Sequence, residues 1–67
     1  MSTKSIGQKI RQARKEAKLS QDKLARLADV AYNTIVKIES GENPNPTVET
    51  IKKIANALKV EVGDLIQ

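Results

Sequence analysis

An all-α fold, a compact bundle of four to five short helices, is what this sequence predicts, and three observations predict it. Apolar residues recur at three- and four-residue intervals in successive segments, the period of a helix with one buried face. No segment alternates apolar with polar residues as a half-buried strand would. The breakers concentrate in one place, GENPNP at residues 41–46, where the chain must leave one helix and start another.

Ser5 is a plausible N-cap for a first helix over 5–18, whose apolar positions are Ile6, Ile10, Ala13, Ala17 and Leu19 and whose outer face is basic. Ser20 caps a second helix of about two turns, with Leu24, Ala25, Leu27 and Ala28 inward and Asp22 and Lys23 toward water. After Asp29 the pattern restarts as Val30, Tyr32, Ile35, Val36 and Ile38, which predicts a third helix over 32–40. Gly41 stands where a left-handed residue ends a helix. Thr47, directly after Pro46, caps a fourth helix carrying Val48, Ile51, Ile54, Ala55 and Leu58 and ending near Lys59. Val60, Val62, Leu65 and Ile66 leave a short fifth helix, interrupted by Gly63.

The length of 67 residues allows one domain, placed at 5–66, because a chain this short buries only about 60% of the surface its unfolded form exposes. There is no cysteine, so neither disulfides nor a thiolate metal site can hold the fold, and helix packing must do so. Met1 to Ser5 has no apolar core of a signal peptide, and no apolar run approaches the roughly 20 residues of a membrane span, so a cytoplasmic location and no membrane contact are expected.

Net charge is +4, but it is unevenly placed. Lys4, Lys9, Arg11, Arg14, Lys15 and Lys18 stand against Glu16 alone, a balance of +5 over residues 1–18 that leaves −1 for the rest. That asymmetry suits a polyanion; a solvated basic face that binds nothing is the plainer alternative. Catalysis is disfavoured: without His or Cys the commonest general base, thiol nucleophiles and the usual metal ligands are missing. The carboxylates Asp22, Asp29, Glu39, Glu42, Glu49, Glu61 and Asp64 are scattered, and no phosphate-binding glycine loop accompanies them. No catalytic residue, metal ligand or cofactor is assigned.

The informative constellation is Leu24, Ala25, Ala28, Val30, Ile35 and Ile38 around a break at Asp29. Two short helices joined by a turn of three to four residues cross steeply, and small residues such as Ala25 and Ala28 are needed where their backbones meet. Asp29 falls in the turn, where a left-handed conformation is wanted and Asp tolerates it better than most residues with a side chain. Together these describe a helix-turn-helix over 21–40.

In these residues the chain resembles the Cro/repressor-type, or lambda-repressor-like, helix-turn-helix domains of phage repressors and xenobiotic-response-element-type bacterial regulators. The likeness is strongest over 19–58, where LSQ opens helix two, TI..IE.G closes helix three, NP.PT.ET leads into helix four and IA.AL ends it. Asp29 stands where that family most often has Gly. The resemblance implies that the third helix lies in the major groove, with Ala31, Tyr32, Asn33 and Lys37 at base edges and Gln21 reaching a base or phosphate. Their chemistry suits this: Asn pairs with adenine, Lys donates to guanine, and an Ala methyl meets a thymine methyl. It further implies phosphate contacts by Thr34, Ser40, Asn43 and Asn45 and by Lys9 or Arg14, and an ion pair between Arg14 and Glu39. Structural readings stand beside these: Tyr32 covering the motif's core with its ring, Asn33 and Lys37 as solvated surface groups, Ala31 as merely a small residue.

The implied function is sequence-specific binding of double-stranded DNA by a transcription regulator acting as a repressor. Its partner would be a pseudo-palindromic operator bound by a homodimer, with Val60, Val62, Leu65 and Ile66 as surplus apolar material for the dimer contact. The alternative is a protein-interaction module of the same fold, such as an antitoxin-type partner that also binds its operator. The hydrogen-bonding character of Tyr32, Asn33, Thr34 and Lys37 favours DNA, and a single aromatic residue cannot build a stacking platform for RNA.

Overall fold

The computed structural model describes residues 5–66, so Lys4 of the basic segment lies outside the described residues. Five helices follow one another: α1 (Ile6–Glu16), α2 (Gln21–Ala28), α3 (Tyr32–Ser40), α4 (Val48–Leu58) and α5 (Val62–Ile66). Among the described residues there is no strand, and no helix is long and apolar enough to cross a membrane.

Starts are set by side chains. Ser5, Ser20 and Thr47 each accept a hydrogen bond from the amide three residues on, and Gln8 Oε1 accepts from the Ser5 amide to complete a capping box. Asp64 accepts from the Glu61 amide at 3.1 Å and so opens α5. Gly63 is contained in that helix and does not interrupt it, contrary to expectation; one turn held by Asp64 and by the burial of Leu65 tolerates a glycine.

Ends share one device. Lys18, Asp29 and Lys59 take left-handed φ values of 60°, 58° and 59°. The next residue, Leu19, Val30 or Val60, donates its amide back to Arg14, Ala25 or Ala55 at 3.0 Å, and its side chain packs against the core. This wrap stops α1 at Glu16, two residues before the expected end. Gly41 ends α3 with φ 87°.

The core is formed by Ile10, Leu24, Ile35, Ile38, Ile54 and Leu65, all fully buried, with Ala25, Ala28 and Ala55 where helices approach closely. A small residue that periodicity did not single out sets another approach. A Cβ on Gly7 would collide with the carbonyl oxygen of Ile38, so α1 reaches the backbone of α3 only because that position is bare. Three expected core positions are not core: Ala17 is exposed, Leu27 is 52% exposed and Val48 is 64% exposed. Each lies at the edge of its helix's stripe, beyond the surface that a neighbouring helix covers.

The expected dimer residues divide in the same way. Leu65 is 2% exposed and fills the core, so it cannot serve a dimer contact; Val60 and Val62 are half-buried against the core, and only Ile66, at 56%, is largely exposed.

Candidate nucleic-acid interface

A carboxylate sealed beneath the surface orients the motif. Arg14 of α1 donates through Nε and Nη2 to the two oxygens of Glu39 at 2.7 and 3.1 Å, and through Nη1 to the Leu19 carbonyl at 2.8 Å. The side chains are 11% and 4% exposed. Gln21, the first residue of α2, donates Nε2 to the same Glu39 oxygen as Nη2, at 3.0 Å. One carboxylate therefore ties the end of α1, the start of α2 and the end of α3. Breaking such a pair from one side leaves an uncompensated buried charge, at a cost of about 3–5 kcal/mol.

With α3 held this way, its faces separate. Ile35 and Ile38 are buried, while Ala31, Tyr32, Asn33 and Lys37 are exposed together on the outer side and Thr34 is half-buried at the edge. Tyr32 is 49% exposed, so its ring does not close the core. Ala31, the N-cap of α3, has no side chain able to cap, in contrast to Ser5, Ser20 and Thr47. The outer face of α3 thus presents hydrogen-bonding side chains with a single charge, that of Lys37.

The turn after α3 is tied to it. Ser40 Oγ donates to the Lys37 carbonyl at 3.1 Å and accepts from the Glu42 amide at 3.3 Å, and the Asn43 amide donates to the same carbonyl at 2.9 Å. Asn43 Oδ1 accepts from the Asn45 amide at 3.3 Å, which braces the loop toward Thr47. Asn45 and Ser40 are exposed and Asn43 is half-buried.

Two of the sequence-predicted phosphate residues sit elsewhere. Arg14 has its guanidinium engaged inside the protein and little surface through which to meet a phosphate. Lys9 is half-buried in the groove between α1 and α5, beside Ala13, Val60, Asp64 and Leu65, because 100° per residue turns it away from the α3 flank that Gly7 and Arg14 occupy. Gln21 is brought to the motif, but half-buried and with one amide proton already given to Glu39. Sequence reasoning missed the role of Gly7. A glycine three residues before Ile10, in an amphipathic helix, was the available signal.

Residues 10–65 match the helix-turn-helix family. The chain is 40% identical over 62 residues to the HTH-type transcriptional repressor RghR of Bacillus subtilis (strain 168), covering 92% of this chain and 46% of that protein. It spans about half the length of most of the curated relatives it matches. Among solved structures it resembles the restriction-modification controller protein C.AhdI from Aeromonas hydrophila, at 33% identity and TM-score 0.85 over 91% of each chain. It also resembles the P22 c2 repressor in complex with the synthetic operator 9T, at 28% identity and TM-score 0.87 over 97% of each.

Proposed function

This chain belongs to the helix-turn-helix family, and from that membership we propose that it binds double-stranded DNA sequence-specifically as a bacterial or phage transcription regulator that represses. The observation that carries the reading is the two-sided α3: a sealed apolar ridge of Ile35 and Ile38 beneath an exposed ridge of Tyr32, Asn33 and Lys37. A helix of this kind fits the major groove of B-DNA, about 12 Å wide, with its N-terminal residues at base edges.

Asn33 pairs with the N6 and N7 edge of adenine, Lys37 donates to guanine O6 and N7, Ala31 meets a thymine methyl, and Tyr32 lies at the groove edge. Gln21 uses its free carbonyl oxygen and second amide proton toward the DNA while Glu39 holds the first. Thr34, Asn43 and Asn45 face phosphates, and Ser40 does so through its remaining lone pair only by way of water, its proton being given to Lys37. The operator is pseudo-palindromic and read by two copies of the chain, joined through Ile66 and the margin of Val62, in the cytoplasm where the DNA lies.

Selection of the purified protein against randomised duplexes tests this in one step. Enrichment of a two-fold motif with half-sites one or more helical turns apart is expected, and Asn33→Ala then weakens binding to the enriched site by about 1–3 kcal/mol and relaxes one base position. Failure to enrich any motif overturns the reading.

A further inference from the structure

One buried carboxylate decides which way round the amide of Gln21 stands. Arg14 donates to both oxygens of Glu39, through Nε at 2.7 Å to Oε2 and through Nη2 at 3.1 Å to Oε1, and Gln21 donates Nε2 to Oε1 at 3.0 Å. A carboxylate has no proton to give, so only the NH2 end of the Gln21 amide can face it. The reverse placement would set a carbonyl oxygen against a carboxylate oxygen and lose a charge-assisted bond. The Glu39 side chain is 4% exposed, which leaves little water to stand in for Gln21. Glu39 is also a residue of α3, so the bond docks Gln21 against the flank of the helix proposed to enter the groove. Gln21 itself is half-buried, and its carbonyl oxygen and second Nε2 proton have no partner among the described residues.

Resting on the reading that this face binds DNA, we propose that Glu39 is a positioning residue that fixes the polarity of Gln21, so that Gln21 accepts adenine and rejects guanine. A glutamine free at a surface turns its amide round at little cost and offers either two protons or a proton and a carbonyl oxygen. Held by Glu39, it offers the second pattern alone. In the major groove adenine presents a donor, N6, beside an acceptor, N7, and this pattern satisfies both. Guanine presents two acceptors, O6 and N7. There the carbonyl oxygen meets an acceptor, and turning the amide to present both protons breaks the bond to Glu39. The penalty therefore falls on guanine and not on adenine, and the discrimination is made by a residue that touches no base.

The test measures binding of wild type, Gln21→Ala, Glu39→Gln and the double variant to selected operator duplexes varied one base pair at a time. Gln21→Ala is expected to relax a single position, at which wild type prefers adenine over guanine by about 10-fold. In Glu39→Gln the shorter bond from Arg14 Nε keeps the carbonyl of the new side chain, so its NH2 faces Gln21 and accepts a turned amide. The adenine preference is then expected to fall by about threefold or more, and in the Gln21→Ala background the same change alters no base preference. Gln21→Ala that weakens every duplex alike, as loss of a phosphate contact does, or that relaxes a position where wild type takes guanine, overturns the proposal. So does Glu39→Gln that lowers affinity uniformly and leaves the preference in place, which is the signature of a purely structural carboxylate. Glu39→Gln lowers the melting temperature by weakening the Arg14 pair, and binding is measured well below it. Should that variant not fold, NMR of the wild-type operator complex decides: the Gln21 Nε2 proton still bonded to the Glu39 carboxylate is expected, and a turned amide overturns the proposal. A wild type that enriches no motif overturns the DNA-binding reading itself, a result distinct from the others.

Discussion

At Gly7 one absent methyl decides how two helices meet. At Gly7, in the first turn of α1, an alanine is favoured over glycine by at most about 1 kcal/mol of helix propensity, which argues for Gly7→Ala as a stabilising change. Against it stands the carbonyl of Ile38, part of the α3 backbone, which cannot rotate aside as a side-chain end can. Overpacking of this kind costs about 1–3 kcal/mol, so the steric effect outweighs propensity and Gly7→Ala is expected to destabilise the domain. Chemical denaturation with an unchanged or raised midpoint would show that the approach is not limiting. The same scale explains Glu39, which looks in the sequence like one polar residue on the third helix. Its three side-chain hydrogen bonds come from Arg14 and Gln21, 25 and 18 residues away along the chain.

Most of the helix ends are set by short-range chemistry. Ser5, Ser20 and Thr47 satisfy amides that the helix cannot, and a left-handed residue followed by an apolar one turns the chain back onto the core at Lys18, Asp29 and Lys59. Side-chain-bearing residues hold that conformation at a cost of about 1–2 kcal/mol that glycine escapes. Lys59 is exposed at the end of α4 and forms no ion pair among the described residues, so Lys59→Gly is expected to raise the stability of the domain by up to about 1 kcal/mol, less the entropy that glycine adds to the unfolded chain. A lowered melting temperature would show that the lysine makes a contribution beyond its backbone. Asp29 is the same case in the helix-turn-helix itself, with φ 58° and ψ 47° where the resembling family most often has Gly.

As a whole the molecule has a small core and one specialised face. Two of its basic residues are directed away from that face: Lys9 lies in the groove between α1 and α5, and Arg14 is turned inward. On the proposed reading, recognition through α3 would depend on hydrogen bonding more than on charge, and affinity for DNA from a single copy is expected to be modest. The proposed dimer would supply the rest, and the apolar surface left for such a contact is narrow, with Ile66 its most exposed member and Leu65 inside the core. Ile66→Asp is expected to leave folding intact and to shift a sedimenting dimer on operator DNA toward monomer at micromolar concentration, because a charge placed at an apolar contact is desolvated without a partner. Unchanged sedimentation would place the contact elsewhere.

Helix order and most boundaries were legible from the chain, and so was the helix-turn-helix, because caps, the apolar period and left-handed positions act between residues at most five apart: Ser20, Asp29, Gly41 and Thr47 each stand where the structure uses them. The exposed face of α3 followed, since Ile35 and Ile38 can be buried only if Asn33 and Lys37 are not. What depends on how helices sit against one another was decided by the tertiary structure. Periodicity assigns a residue to a stripe but not to the neighbour that covers it, so Leu27 and Val48 proved exposed, Leu65 became core, and Lys9 turned to α5. The pairing of Gln21 and Arg14 with Glu39 arises where helix crossings bring together side chains whose own sequence neighbourhoods carry no sign of each other.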